Sequence, residues 1–273
     1  MHPLIDEHVV TTIRTTGNTD ANMTDRVAIL DACRLPYDRQ ADNVIISGCQ
    51  IPFLIPHVLQ QYALILDRCG VSYTFLSKEY CCGNMLYRPA IKHRDEEAMA
   101  ECRSLSREFI EMNLRSAKAL GARSVVIFCS PCYPIYKHSF PQEEIDFYPK
   151  LLQEALPPMQ WRGTIDYYAG CYRLHRKLAP ATMDLKSTNA VFDKIEGLSI
   201  NRIGAPSCCH TEQGLGHMLT NVKTKQMVHV CNGCYIQARL HMPEDNRVQI
   251  MLLPEFICKI NDWKSPDPAD DRQ

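Results

Sequence analysis

The sequence predicts an α/β protein built twice over, as two pseudo-symmetric halves. Three observations carry this. Short β-prone runs alternate with stretches whose apolar residues recur every 3–4 positions, the pattern of parallel sheets with crossover helices. The same order of elements appears in both halves. Ten of the fourteen cysteines form two copies of one pattern: a lone Cys, an adjacent pair, then a C-x-x-C. The first copy is Cys49, Cys81–Cys82 and Cys129/Cys132, and the second is Cys171, Cys208–Cys209 and Cys231/Cys234.

Residues 1–25 read as a flexible segment: Asp6 and Glu7 interrupt them, and they contain no apolar core of signal-peptide length. The first repeat spans 26–156. A β-prone run at 44–46 leads into Gly48-Cys49, and Ile55, Val58, Tyr62, Ile65 and Cys69 mark a helix stopped by Gly70. A run at 71–76 precedes the cysteine pair. A long helix is expected over 91–120, with Ala98, Cys102, Leu105, Phe109 and Met112 on one face and Gly121 at its end. A run at 125–128 then enters Cys129-Ser130-Pro131-Cys132-Tyr133. After the Leu156-Pro157-Pro158 junction the second repeat, 157–264, follows the same plan. Its β-prone runs are 165–168, 198–203 and 227–230, with weaker helical patterns at about 180–194 and 211–225. The Asp- and Pro-rich tail 265–273 reads as flexible. Each half is thus Rossmann-like, with sulfur just past the carboxyl ends of strands, where open α/β sheets place their ligands.

A formal charge of −1 over 273 residues argues against a nucleic-acid binder. No run approaches the roughly 18 apolar residues of a membrane span, so a cytoplasmic location is expected. In a reducing compartment this many thiols read as metal ligands or catalytic groups rather than disulfides. Adjacent cysteines rarely form a low-strain disulfide with each other. Soft sulfur at this density points to metal, foremost iron–sulfur, and so to electron transfer or thiol/disulfide chemistry. A zinc knot or a cubane cluster takes four protein ligands. A fifth thiol is therefore either spare and reactive or part of a larger cluster. Two zinc knots that merely pin loops are the bland alternative. A thioredoxin-like dithiol would leave the matched single cysteines and pairs unexplained. A C-x-x-C at a helix start also gains from the helix dipole, which favours thiolate.

With 31 residues between Cys49 and Cys81, a Cys81-Cys82-Gly83 element, 46 residues between Cys82 and Cys129, and then a second copy, the sequence resembles the cysteine-rich CCG domain of the heterodisulfide reductase B subunit. Related domains occur in the glycerol-3-phosphate dehydrogenase C subunit and in lactate-utilisation and succinate:quinone reductase proteins. The resemblance covers about residues 44–258 and is carried further by Tyr167-Tyr168-Ala169-Gly170-Cys171 and the two C-x-x-C-Tyr elements. It implies two iron–sulfur clusters, noncubane [4Fe-4S], held by the ten motif cysteines, with a disulfide or thiol substrate between them. It also implies an oxidoreductase subunit that works with a ferredoxin-like iron–sulfur subunit and a flavin subunit.

The second copy departs from that pattern. It reads Cys208-Cys209-His210, without the Gly, and has 21 residues between Cys209 and Cys231. This leaves zinc or a cubane cluster open at the second site. Cys81, Cys82 and His210 are read as the catalytic groups, His210 as a sulfur hydrogen-bond donor or proton source, with an ordinary loop histidine as the alternative. Arg173, His175, Arg176 and Lys177 form either a basic rim for an anionic partner or a solvated face. Tyr133 and Tyr235 either cover the clusters or belong to the core. Cys69, Cys102 and Cys258 read as core residues, and Cys33 has no assigned role. The alternative function is a non-catalytic electron relay in a dehydrogenase that oxidises lactate, glycerol phosphate or a sulfur carrier; a zinc-stabilised scaffold comes third.

Overall fold

The computed structural model describes residues 1–23, 25–170 and 182–264. Two four-stranded sheets, each wholly parallel, form the two halves. The first contains β1 (Asn43–Ile46), β2 (Tyr73–Phe75), β3 (Ser124–Ile127) and β4 (Ile145–Phe147) in the order β2-β1-β3-β4. The second contains β5 (Met159–Tyr168), β6 (Ile195–Ile203), β7 (Gln226–His229) and β8 (Gln249–Leu252) in the order β6-β5-β7-β8. The orders correspond strand for strand, so the repeat read from the cysteines is a repeat of topology.

Parallel strands need long crossovers, and the helices supply them. The first half carries α1 (Glu7–Thr16), α2 (Arg26–Ala32), α3 (Ile51–Leu54), α4 (Pro56–Arg68), α5 (Tyr87–His93), α6 (Glu96–Ala119), α7 (Cys132–Ser139) and α8 (Tyr148–Ala155). The second carries α9 (Leu185–Asp193), α10 (Glu212–Thr220), α11 (Asn232–His241) and α12 (Leu253–Ile260). Helices cover both faces of the first sheet, and its central strand is apolar where it is buried: Val44, Ile45 and Ile46 are all buried. In the first half Tyr62, Phe128, Tyr148 and Phe147 pack ring on ring beneath the site.

Several expectations are corrected. Residues 1–23 are anchored, not flexible. Asp6 caps α1 by accepting from the Val9 amide, the helix buries Val10 and Ile13, and Gly17 ends it in the left-handed region. The expected helix over 91–120 is two helices. Arg94 at φ 54° stops α5, and Asp95 restarts the chain as α6 by accepting from Ala98 N. The helix expected over 211–225 stops at Thr220, because buried Asp166 draws the Lys223 and Thr224 amides into a loop. Strands β4 and β8, which lead into no cysteine motif, do not stand out in sequence. The expected tail 265–273 and the basic group Arg173, His175, Arg176 and Lys177 lie outside the described residues.

The halves are joined tightly. α12 packs on α4 and α9 on α8, so each half lends surface to the other. Among the described residues no helix is long and apolar enough to cross a membrane.

Candidate metal centres

Strand order places the cysteines. After β1 the chain crosses to β2 on one side, then returns past β1 to β3 on the other. The connections therefore diverge at the carboxyl ends of β1 and β3, which opens a crevice there. Cys49 follows β1, Cys81–Cys82 follow β2 and Cys129/Cys132 follow β3, so all five border that crevice.

Their thiols form an unbroken line. Cys49 hydrogen-bonds Cys81, Cys81 hydrogen-bonds Cys82, Cys82 meets Cys132 at 3.1 Å between sulfurs, and Cys132 hydrogen-bonds Cys129. The second half repeats the line: Cys208 to Cys209, Cys209 to Cys234, Cys234 to Cys231. In both, the second Cys of the pair meets the second Cys of the C-x-x-C. Cys171, the expected counterpart of Cys49, lies outside the described residues. Among those described, no three His, Cys, Asp or Glu side chains are placed to share a single metal ion.

Thiol hydrogen bonds and burial hold Cys49 and Cys132 well above the usual thiol range. Cys82 moves the other way, because its hydrogen bonds with Cys132 and Cys81 favour its thiolate. Cys209 and Cys234 are pushed up by their neighbouring thiols and by burial. Most of these sulfurs thus keep their protons unless a cation arrives to stabilise thiolate. Five soft donors in a row, three buried and two half-buried, fit a polynuclear metal–sulfur group. Helix α7 begins at Cys132 and α11 begins directly after Cys231, so each C-x-x-C also sits at a positive helix end.

The backbone around the sulfurs is closely fitted. Gly48 has φ +95°, and a Cβ there would stand 2.5 Å from Cys129 Cβ. Gly170 repeats this at φ +97°, 3.0 Å from Cys231 Cβ. Gly83 has φ +75°, whereas His210, at the same place in the second copy, does not adopt a positive φ. The second turn therefore has no need of glycine there. Gly214 of α10 faces the Cys208 carbonyl so closely that a Cβ would stand 2.1 Å from it.

Residues outside the motif hold the first site. The buried Arg26–Glu79 pair (2.6 Å) anchors the Gly48 turn, with Glu79 accepting from the Ser47 and Gly48 amides. Asn18 Nδ2 donates to the Cys49 carbonyl at 2.6 Å, and Cys81 N donates to the Gly17 carbonyl at 2.7 Å. None of these was picked out in sequence; only the repeated Gly-Cys dipeptide hinted at the glycines.

The two C-x-x-C turns touch. Ser130 N donates to Asn232 Oδ1 at 2.8 Å, Ser130 Oγ lies 2.7 Å from the same oxygen, and Asn232 N donates to Ser130 Oγ at 3.2 Å. Both residues occupy the first x position of their turn, so the two sites are neighbours across the pseudo-symmetry axis. His210 is exposed, with Nε2 3.8 Å from where a Gly233 Cβ would stand. Tyr133 packs on Phe147, and Tyr235 accepts from Arg239 at 2.7 Å and meets His57 at 3.1 Å. Cys102 and Cys258 are buried apart from the lines; Cys69 and Cys33 are half-buried residues that end α4 and α2.

Fold and site together define an α/β protein with buried thiol lines at the switch points of two sheets. Residues 44–134, the whole first cysteine copy, match the cysteine-rich CCG domain. The chain is similar to the D subunit of the dihydromethanophenazine:CoB–CoM heterodisulfide reductase of Methanosarcina mazei, 29% identical over 119 residues, which are 43% of this chain and 25% of the relative. The corresponding D subunit of Methanosarcina barkeri is 28% identical over the same shares. The EtfAB:quinone oxidoreductase of Syntrophomonas wolfei is 25% identical over 112 residues, 40% of this chain and 14% of that protein. The matched stretch thus spans a quarter or less of these relatives.

Proposed function

We propose that this chain is an iron–sulfur subunit of an oxidoreductase that reduces or forms a disulfide. The adjacency of the two thiol lines, joined through Ser130 and Asn232, is the observation that carries this reading. The similarity to heterodisulfide reductase subunits and the CCG match support it. Cys49, Cys81, Cys82, Cys129 and Cys132 would hold one cluster; Cys171, Cys208, Cys209, Cys231 and Cys234 would hold the other. When bound, each cluster supplies an electron and a seat for a sulfur atom. A disulfide takes up two electrons and two protons to give two thiols, so two neighbouring sites match its stoichiometry. The sheets and helices hold the ligand turns rigid and keep water from most of the sulfurs. His210, exposed beside the second C-x-x-C, would pass one of the protons. Electrons would come from partner iron–sulfur and flavin subunits.

A relay role is the second reading. It is favoured by the burial of the thiols, none of which is exposed among the described residues, and by the quinone oxidoreductase relative.

Turnover separates the two. The iron-loaded chain, given a reduced viologen and a small disulfide such as hydroxyethyl disulfide, is expected to consume two viologens per disulfide. Cys82→Ala should abolish the reaction, and His210→Gln should slow it by about tenfold or more. Fully loaded protein with no turnover would contradict the disulfide reading and leave the relay.

A further inference from the structure

Asn232 is 1% exposed, and among the described residues its amide nitrogen has no hydrogen-bond partner. Its orientation is not free. Ser130 N–H can only donate, so the atom 2.8 Å from it must be Oδ1, and Nδ2 takes the opposite end of the amide. Nδ2 is therefore a buried donor with no acceptor among the described residues, a costly arrangement unless something else fills the role. Asn232 stands between Cys231 and Cys234, the two turn ligands of the second thiol line. Its counterpart in the first turn, Ser130, has its hydroxyl engaged already, 2.7 Å from Asn232 Oδ1 and 3.1 Å from the Val230 carbonyl. The pair is thus asymmetric where the thiol lines are alike: one turn has a spare donor and the other has none.

We propose that Asn232 Nδ2 donates a hydrogen bond to an anionic sulfur of the group bound at the second site, and so sets that site's potential above the one it would otherwise have. This rests on the iron–sulfur reading above. A donor stabilises the more negative, reduced state of a metal–sulfur group, and hydrogen bonds to sulfur are a main lever on such potentials. Asn232 acts as a positioning and tuning residue, and Ser130 orients it.

The test is redox-titrated paramagnetic resonance on the full chain, loaded anaerobically, with iron measured on every sample. The signal lost in Cys234→Ala marks the second site. Asn232→Asp keeps an oxygen for Ser130 and removes the donor. Asn232→Leu removes the donor without adding charge. Ser130→Ala keeps the donor and deletes one orienting contact. The two Asn232 variants should lower the second site's midpoint by at least a tenfold change in the one-electron equilibrium, about 59 mV, at unchanged iron content. Ser130→Ala should leave it in place. Unchanged potentials in iron-replete Asn232 variants would overturn the inference, as would an equal shift in Ser130→Ala. Loss of iron in both Asn232 variants would also overturn it, by showing a structural brace. Absence of iron from the unsubstituted chain would instead bring down the iron–sulfur reading itself.

Discussion

Gly48→Ala is expected to unfold the first site. Its φ of +95° is a region that L-residues avoid, and holding an L-residue there costs about 1–2 kcal/mol. The added Cβ would also stand 2.5 Å from Cys129 Cβ and 3.1 Å from its sulfur. Both belong to a turn fixed by Ser130 and Asn232, so neither can withdraw cheaply; overpacking of this kind adds about 1–3 kcal/mol. The sum is a large share of the ~5–15 kcal/mol that holds a domain folded. Gly70→Ala and Gly121→Ala supply the control, since both glycines have positive φ but open on empty space. They should lose only the conformational part. Urea unfolding of the metal-free proteins measures this, and Gly48→Ala no weaker than Gly70→Ala would contradict the fit described here.

Arg26→Leu is expected to cost about 3–5 kcal/mol, the usual loss when one partner of a buried ion pair is removed. The side chains of Arg26 and Glu79 are 9% and 1% exposed, so water screens the pair little. Without Arg26 the Glu79 carboxylate stays buried, retaining the Ser47 and Gly48 amides but no cation. The Leu76 carbonyl and the Ser47 hydroxyl lose their guanidinium donor as well. The result should be a weakened Gly48–Cys49 turn. Chemical unfolding reads the stability, and a loss below about 1 kcal/mol would show that water or another cation replaces Arg26.

Strands β1, β2, β3, β5, β6 and β7 were legible because each carries a β-prone run that leads to a cysteine group. The doubled topology was legible because the groups recur in order. β4 and β8 were not, since Ile145–Phe147 and Gln249–Leu252 are short edge strands with no motif attached. The role of residues 1–23 was hidden because Gly17 and Asn18 act through a backbone carbonyl and one amide across a distance no sequence spacing reveals. The split at Arg94–Asp95 turns on one left-handed residue within a continuous apolar pattern. In the site, the cysteines announce themselves by type. Ser130 and Asn232 are ordinary residues whose importance comes only from the two turns meeting.

The proposal that both thiol lines hold iron–sulfur clusters is tested most directly by iron and acid-labile sulfide in anaerobically isolated protein, with Cys82→Ala and Cys102→Ala beside it. About eight of each per chain are expected, two four-iron clusters' worth. Cys82→Ala should lose about half or more, and Cys102→Ala, whose sulfur lies in the core near the Leu86 carbonyl, should lose none. Zinc alone, with neither iron nor sulfide, would contradict the account.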